Sequence, residues 1–140
     1  RYQDWITGIK KLRDDLTKQG YQCEIPAIFW HCGENDRALN WMADKYADRF
    51  QTFMNATRKD LELPELNWIL TEQPILTESI TGDEKIYDLN SDLEALDASD
   101  SNFTFVKTSD LPHTPVLFGS KVIIALGKRM AEAWAKITLE

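Results

Sequence analysis

Histidine and cysteine are scarce in this sequence, with two of each among 140 residues. His31 and His113 stand far apart, and neither His-x-x-x-His nor Cys-x-x-Cys spacing occurs, so no metal site is expected. Glycine is thinly scattered, with no glycine-rich phosphate loop, and no cofactor is implied. No apolar run approaches the roughly 20 residues a membrane helix needs, so no membrane span is expected, and no stretch reads as a signal peptide. Positive charge is also short. Sixteen Lys and Arg against 23 Asp and Glu leave a net charge of −7, which argues against nucleic acid or an anionic membrane as a partner. Serine is missing altogether before His31. The first residue is Arg1 rather than Met and Tyr2 already joins a helical pattern, so the sequence is expected to start partway through something longer.

What is present suits one packed domain. Apolar residues make up 43%, with five Trp and six Phe, which excludes disorder as the default. Cys23 and Cys32 flank an expected strand. Nine extended steps span roughly 30 Å, whereas disulfide Cα atoms lie within about 7 Å, so the two should not bond each other. Either they are free thiols or one pairs with a segment outside this sequence. Asn55-Ala56-Thr57 and Asn102-Phe103-Thr104 match the N-glycosylation triplet. Seven acids fall between Asp83 and Asp100 against the single Lys85, a pattern that reads as a solvated helix face or an acidic docking surface.

The periodicities alternate. Tyr2, Trp5, Ile9, Leu12 and Leu16 mark an amphipathic helix stopped by Gly20. Residues 24–31 form a short, almost wholly apolar run, expected to be a strand buried on both faces. A tight polar turn at 32–36 follows, then a long helix through Leu39, Met42, Tyr46, Phe50, Phe53 and Ala56 with Asp36 as N-cap. Strands are expected at 66–71 and 103–106, with a polar loop at 75–84 and a short helix through Ile86, Leu89, Leu93 and Leu96 between them. Thr114-Pro115 would open a last helix carrying Val122 to Ile137, with Gly119-Ser120 inside it. The order α-β-α-β-α-β-α predicts a parallel sheet with helices on both faces. Function in such sheets gathers at the C-terminal strand ends, here residues 31–37, 72–75 and 107–117.

The segment FWHCGENDR, residues 29–37, resembles the Gly-x-Asn-Asp block of SGNH hydrolases at Gly33-Glu34-Asn35-Asp36. With His31, Cys32 and Glu34 it is similar to the His-Gln-Gly-Glu block of one branch, the sialate O-acetylesterases and plant-type acetyl xylan esterases of carbohydrate esterase family six. The closing LGKRMAEAW, residues 126–134, and the intervening KIYDLNSDLEALDASDSNFTFVKTSDLP follow the same branch. The resemblance implies a three-layer, flavodoxin-like α/β fold that is incomplete here, with about three parallel strands flanked by helices. Residues 1–140 would be the C-terminal part of a single esterase-like domain. It also implies an acetylated carbohydrate as substrate.

Attack on an acetyl ester creates an oxyanion, and each preorganised N–H donor around it can be worth about 3–4 kcal/mol. By the resemblance, the close-approaching backbone of Gly33 and the amide of Asn35 would serve there; otherwise Asn35-Asp36 simply caps a helix. The family's nucleophile lies in an early Gly-x-Ser motif, which this sequence lacks, so any serine must come from outside it. Cys32 stands at the family's Gln position, and a thiol is a weak donor. For the closing Asp-x-x-His, two registers stand. Asp110-Leu111-Pro112-His113 fits literally, with His113 as general base oriented by Asp110. Counting nine residues back from Leu126-Gly127 lands instead on Leu117, followed by aromatic Phe118, and both catalytic residues are then gone.

Two readings follow: an esterase half whose nucleophile lies elsewhere, or a degenerate fold serving as a binding or structural subunit. In either, the strand at 24–31 would be an open apolar edge, which isolated proteins avoid. Another chain, or a missing N-terminal segment, is expected to cover it.

Overall fold

The computed structural model of the chain describes residues 1–37, 39–74, 87–112 and 118–139. The elements are α1 (Tyr2–Lys18), β1 (Ala27–Trp30), α2 (Glu34–Arg37), α3 (Asn40–Ala43), α4 (Tyr46–Leu61), β2 (Asn67–Thr71), α5 (Leu89–Ser99), β3 (Phe103–Val106) and α6 (Ser120–Leu139). Three parallel strands in the order β1-β2-β3 make one sheet, the α/β arrangement that the alternating pattern predicts.

Strand register explains the layers. Ile28, Trp68 and Phe103 stand in one row across the sheet, and Trp30, Leu70 and Phe105 in the next row on the same face. Against these pack Phe50 and Met54 of α4 and Leu89, Leu93 and Leu96 of α5, with Trp5 of α1 at the margin. Ile69 and Val106 point to the opposite face, where Met130, Ala133, Trp134 and Ile137 of α6 cover them. Burying one such side chain stabilises by about 1.5–3 kcal/mol, so these two clusters hold the sheet between its helix layers. Aromatic rings are dense in the first: Phe50 and Phe53 both lie edge-on to Trp68, at 5.5 and 5.2 Å between centroids, a favoured geometry.

The expected doubly buried strand at 24–31 is shorter and less buried. β1 begins only after Pro26, which lacks an N–H for the ladder, and Phe29 is 49% exposed. Phe29 shares its row with Ile69, but α6 packs over β2 and β3. β1 is therefore the edge of the described sheet, and one of its faces stays open.

The single long helix after the first strand is also corrected. Three helices stand there instead, and Asp36 lies inside α2 rather than capping a long helix. Met42 N–H and Ala43 N–H bond the Leu39 carbonyl, opening α3 at an extended residue (φ −123°, ψ 108°), which breaks the path into α4. α6 starts at Ser120, so Gly119 precedes it; Thr114-Pro115, the loop at 75–84 and Ile86 lie outside the described residues. Gly20 ends α1 as expected, at φ 86°, with Tyr21 N–H returning to the Leu16 carbonyl. Leu12, counted on the apolar stripe of α1, is exposed.

The acids between Asp83 and Asp100 do more than face solvent. Asp88 caps α5 by accepting from Asn90 N–H at 3.1 Å, Asp97 accepts from Phe105 N–H at 2.9 Å, and Asp100 pairs with Arg58 at 2.6 Å. Arg58 also donates to the carbonyls of Leu66 and Asn102. One guanidinium thus fastens α4 to the entries of β2 and β3.

Candidate functional site

The C-terminal ends of the three strands converge, and hydrogen bonds lock the segments beyond them. After β2, Glu72 is 5% exposed, and one carboxylate oxygen accepts from Thr108 N–H at 2.6 Å and Ser109 N–H at 2.7 Å. The Thr108 hydroxyl donates to the Glu72 carbonyl at 3.1 Å. Charge-assisted bonds of this kind are short and strong, and they draw the segment after β3 against the end of β2. Gln73 and Asn90 bond reciprocally, main-chain N–H to side-chain oxygen at 3.0 Å and side-chain amide to carbonyl at 2.9 Å. That pair fixes the first turn of α5.

The segment after β1 is held from both sides. Its turn is made at Gly33, whose φ of 134° disfavours any residue with a β-carbon. The Gly33 carbonyl accepts from Arg37 N–H at 2.9 Å, closing α2 as a single helical turn. Tyr46 of α4 donates its hydroxyl to the Cys32 carbonyl at 2.7 Å, and Gln73 donates to the same oxygen at 3.3 Å. Arg37, buried at 4% exposure, donates to the Pro74 carbonyl. The His31 ring hydrogen-bonds through Nδ1 to the Thr71 hydroxyl and lies 5.8 Å from the Phe118 ring. Gln73 Oε1 is buried without a hydrogen-bond partner among the described residues, a strain that ordinary cores avoid.

Of the residues singled out in sequence, His31, Cys32, Gly33, the backbone of Glu34, Asn35 and Asp36 therefore do sit together at the sheet's mouth. Asn35 is exposed there, and Cys23 and Cys32 form no disulfide with each other. Asp110 lies in the segment after β3, but it is exposed, and both its oxygens accept from the Arg129 guanidinium of α6 at 2.6 Å. That guanidinium holds the Asp110 carboxyl below its ordinary pKa. His113 and Leu117 lie outside the described residues. Thr71, Glu72, Gln73, Arg37 and Tyr46 shape the mouth, yet none was picked out in sequence. The strand-end rule pointed to 72–75, but a Glu-Gln pair carries no motif of its own, and Tyr46 reads as one more apolar helix position.

Among the described residues no group of three or more His, Cys, Asp or Glu could hold a metal ion, and no helix is long and apolar enough to cross a membrane.

Comparison with known proteins gives the Gly33 turn a family. The model for sialic acid-specific acetylesterases, a carbohydrate esterase group, matches residues 1–136. Among curated proteins no sequence matches. A crystal structure of a protein from Arabidopsis thaliana superposes with a TM-score of 0.75 at 24% identity, over 96% of this chain and 52% of that one. The likeness shows a shared fold, of which this chain spans about half the neighbour's length.

Proposed function

Since the chain belongs to the family of sialic acid-specific acetylesterases among the carbohydrate esterases, we propose that it supplies one half of an SGNH-type O-acetylesterase site acting on an acetylated carbohydrate. The observation that carries this is the Gly33 turn, left-handed and clamped by Tyr46 and Gln73 at the end of a parallel strand. In this reading a serine from outside residues 1–140 attacks the acetyl carbon, and His113 takes its proton. Gly33 and Asn35 stabilise the oxyanion, collapse breaks the ester C–O bond, and the sugar hydroxyl leaves with the proton from His113. Water then cleaves the acyl-serine, releasing acetate and restoring the serine. Asp110 would orient His113.

A second reading has one specific observation in its favour. Arg129 occupies both oxygens of Asp110, and Phe118, next to Leu117, packs at His31. Both features suit the register in which Leu117 takes the histidine's place and the site has lost its chemistry, leaving a binding or structural subunit.

Hydrolysis of an acetylated chromogenic ester by the full-length protein decides between them. The first reading expects turnover that falls by about a thousandfold or more in His113→Ala; absence of turnover in the parent supports the second, and turnover unaffected by that substitution removes His113 from the first.

A covering partner for β1 belongs to either reading. Beside that edge opens a cavity of about 410 Å³ lined by Tyr2, Trp5, Trp30 and Phe53, an apolar seat for a further strand or segment. In the full-length protein the amides of Ala27–Trp30 should exchange far more slowly than in residues 1–140 alone; equal rates would remove this partner.

A further inference from the structure

The sheet has two outer strands, and their free edges differ. Among the described strands β1 and β3 each pair with β2 alone. A strand with one neighbour turns a row of main-chain N–H and C=O groups away from it, a template on which another chain can pair.

On β3 that row is occupied. The carbonyls of Asn102 and Val106 accept from Trp68 N–H and Glu72 N–H on the β2 side. The backbone groups of Phe103, Phe105 and Lys107 therefore turn outward. Phe103 N–H donates to the Asp100 carbonyl at 3.1 Å. Phe105 N–H donates to Asp97 Oδ1 at 2.9 Å, and the Lys107 carbonyl accepts from Arg129 Nη1 at 2.8 Å. The Lys107 ammonium turns back along the edge, pairing with Glu94 and standing 5.2 Å from the centre of the Phe105 ring.

This edge is reachable from outside. A groove of about 490 Å³ runs between it and α6, with residues 104–107 on one wall and Arg129, Glu132 and Lys136 on the other. Asp97 also stands where α5 alone disfavours it. It adds negative charge to the last turn, at the negative end of the helix, and no basic residue is there to offset it. Its carboxylate is used instead on a strand amide eight residues further along, a local rule broken for a tertiary gain. Arg129 is aimed as well: Asp110 holds both Nη atoms at 2.6 Å and leaves Nη1 directed at the Lys107 carbonyl. Among the described residues no side chain crosses β1 in this way; Asn67 reaches the carbonyl of Pro26, before that strand begins.

We propose that Asp97 and Arg129 are plugs that close the outer edge of β3 to strand addition, so that the described sheet takes a new neighbour at β1 and not at β3. Without the plugs, β3 becomes a pairing surface for a second copy of this chain. Two such edges meeting antiparallel across a two-fold axis use each other up, so the product is a closed dimer and not a fibre. The inference needs no chemistry at the site and holds under either reading of it.

Sedimentation velocity and amide exchange on the full-length protein test this in the parent, Asp97→Ala, Arg129→Ala, the double variant and Asp97→Asn, after urea transitions establish which of them fold. In the parent, protection of the Phe105 amide should not depend on concentration. In the double variant the mass should climb with concentration toward about twice the parent's. Its Phe105 amide should exchange fast in dilute solution and regain protection as the dimer forms. Asp97→Asn keeps an oxygen that accepts from Phe105 N–H and should behave as the parent. Arg129→Ala gives up a largely exposed pair, so it keeps its fold even where the Asp97 variants do not, and it should dimerise in the same way but more weakly. The proposal is overturned by a folded double variant of constant mass, by association that leaves the Phe105 amide unprotected, or by association equally strong in Asp97→Asn. Concentration-dependent protection of Phe105 in the parent overturns it too, as does constant mass in Arg129→Ala where the Asp97 variants fail to fold.

Discussion

A β-carbon placed on Gly33 would stand 3.1 Å from the ring and hydroxyl of Tyr46, the same hydroxyl that donates to the Cys32 carbonyl. The turn and the helix behind it thus fit only because residue 33 is glycine. Its φ of 134° adds backbone strain to that crowding for any other residue. Gly33→Ala should cost about 1–3 kcal/mol. Adding Tyr46→Phe should recover little of it, because the backbone strain remains. Urea unfolding of the two variants measures both, and a Gly33→Ala chain as stable as the parent would contradict this account.

Glu72 binds the segment after β3 by accepting from Thr108 and Ser109. Replacing its charge in Glu72→Gln should lose about 1.5–3 kcal/mol. The loss should appear first as faster hydrogen exchange at those two amides, while the amides of β2 and β3 keep their protection. Uniform loosening of the whole sheet would show that Glu72 supports the core instead.

Arg58 is a second fastening of the same physical kind, at the opposite end of the strands. Removing it in Arg58→Met leaves Asp100 charged and largely enclosed, which should cost about 3–5 kcal/mol. Arg58→Lys should fall between the two, since an ammonium lacks the planar fork that now reaches Asp100, Leu66 and Asn102 together. A denaturation midpoint unchanged in the Met variant would sink this assignment.

Tyr87 sets an alkaline limit. Its folded pKa, near 12, lies above the ordinary 10.0, so the folded state holds this proton more tightly than the unfolded chain does. The associated stability is complete below about pH 10 and is lost as pH rises through 12. The Tyr87 hydroxyl donates to Asp92 at 2.6 Å, the largest cause of the rise, so Asp92→Asn should bring the phenol back toward 10, an effect visible in ultraviolet titration at the tyrosinate band. No shift in that variant would mean that Asp92 does not govern the phenol.

Much of the fold was legible along the chain. The run from Asn67 to Thr71 and the segment from Phe103 to Val106 are strands whose side chains fill two covered faces of the sheet, and the apolar run ending at Trp30 adds a third strand covered on one face. Gly20 stops α1 because few other residues take its φ. The Gly33–Asp36 block announced the mouth, since a glycine after a strand marks a close backbone approach.

Other features needed the tertiary structure. Whether 24–31 is buried depends on what stands beside it, and Phe29 is open because α6 reaches only the neighbouring strands. The break between Arg37 and Tyr46 arises from an extended Leu39, where periodicity alone runs straight through. The pairing of Asp110 with Arg129 and of Glu72 with two backbone amides joins groups whose partnership is set by folding. Sequence fixes which residues are apolar and how often they recur, and so settles the layers. Direction of a polar side chain is settled by whichever donor or acceptor the folded backbone brings within about 3 Å, and that becomes known only once the strands have found their register.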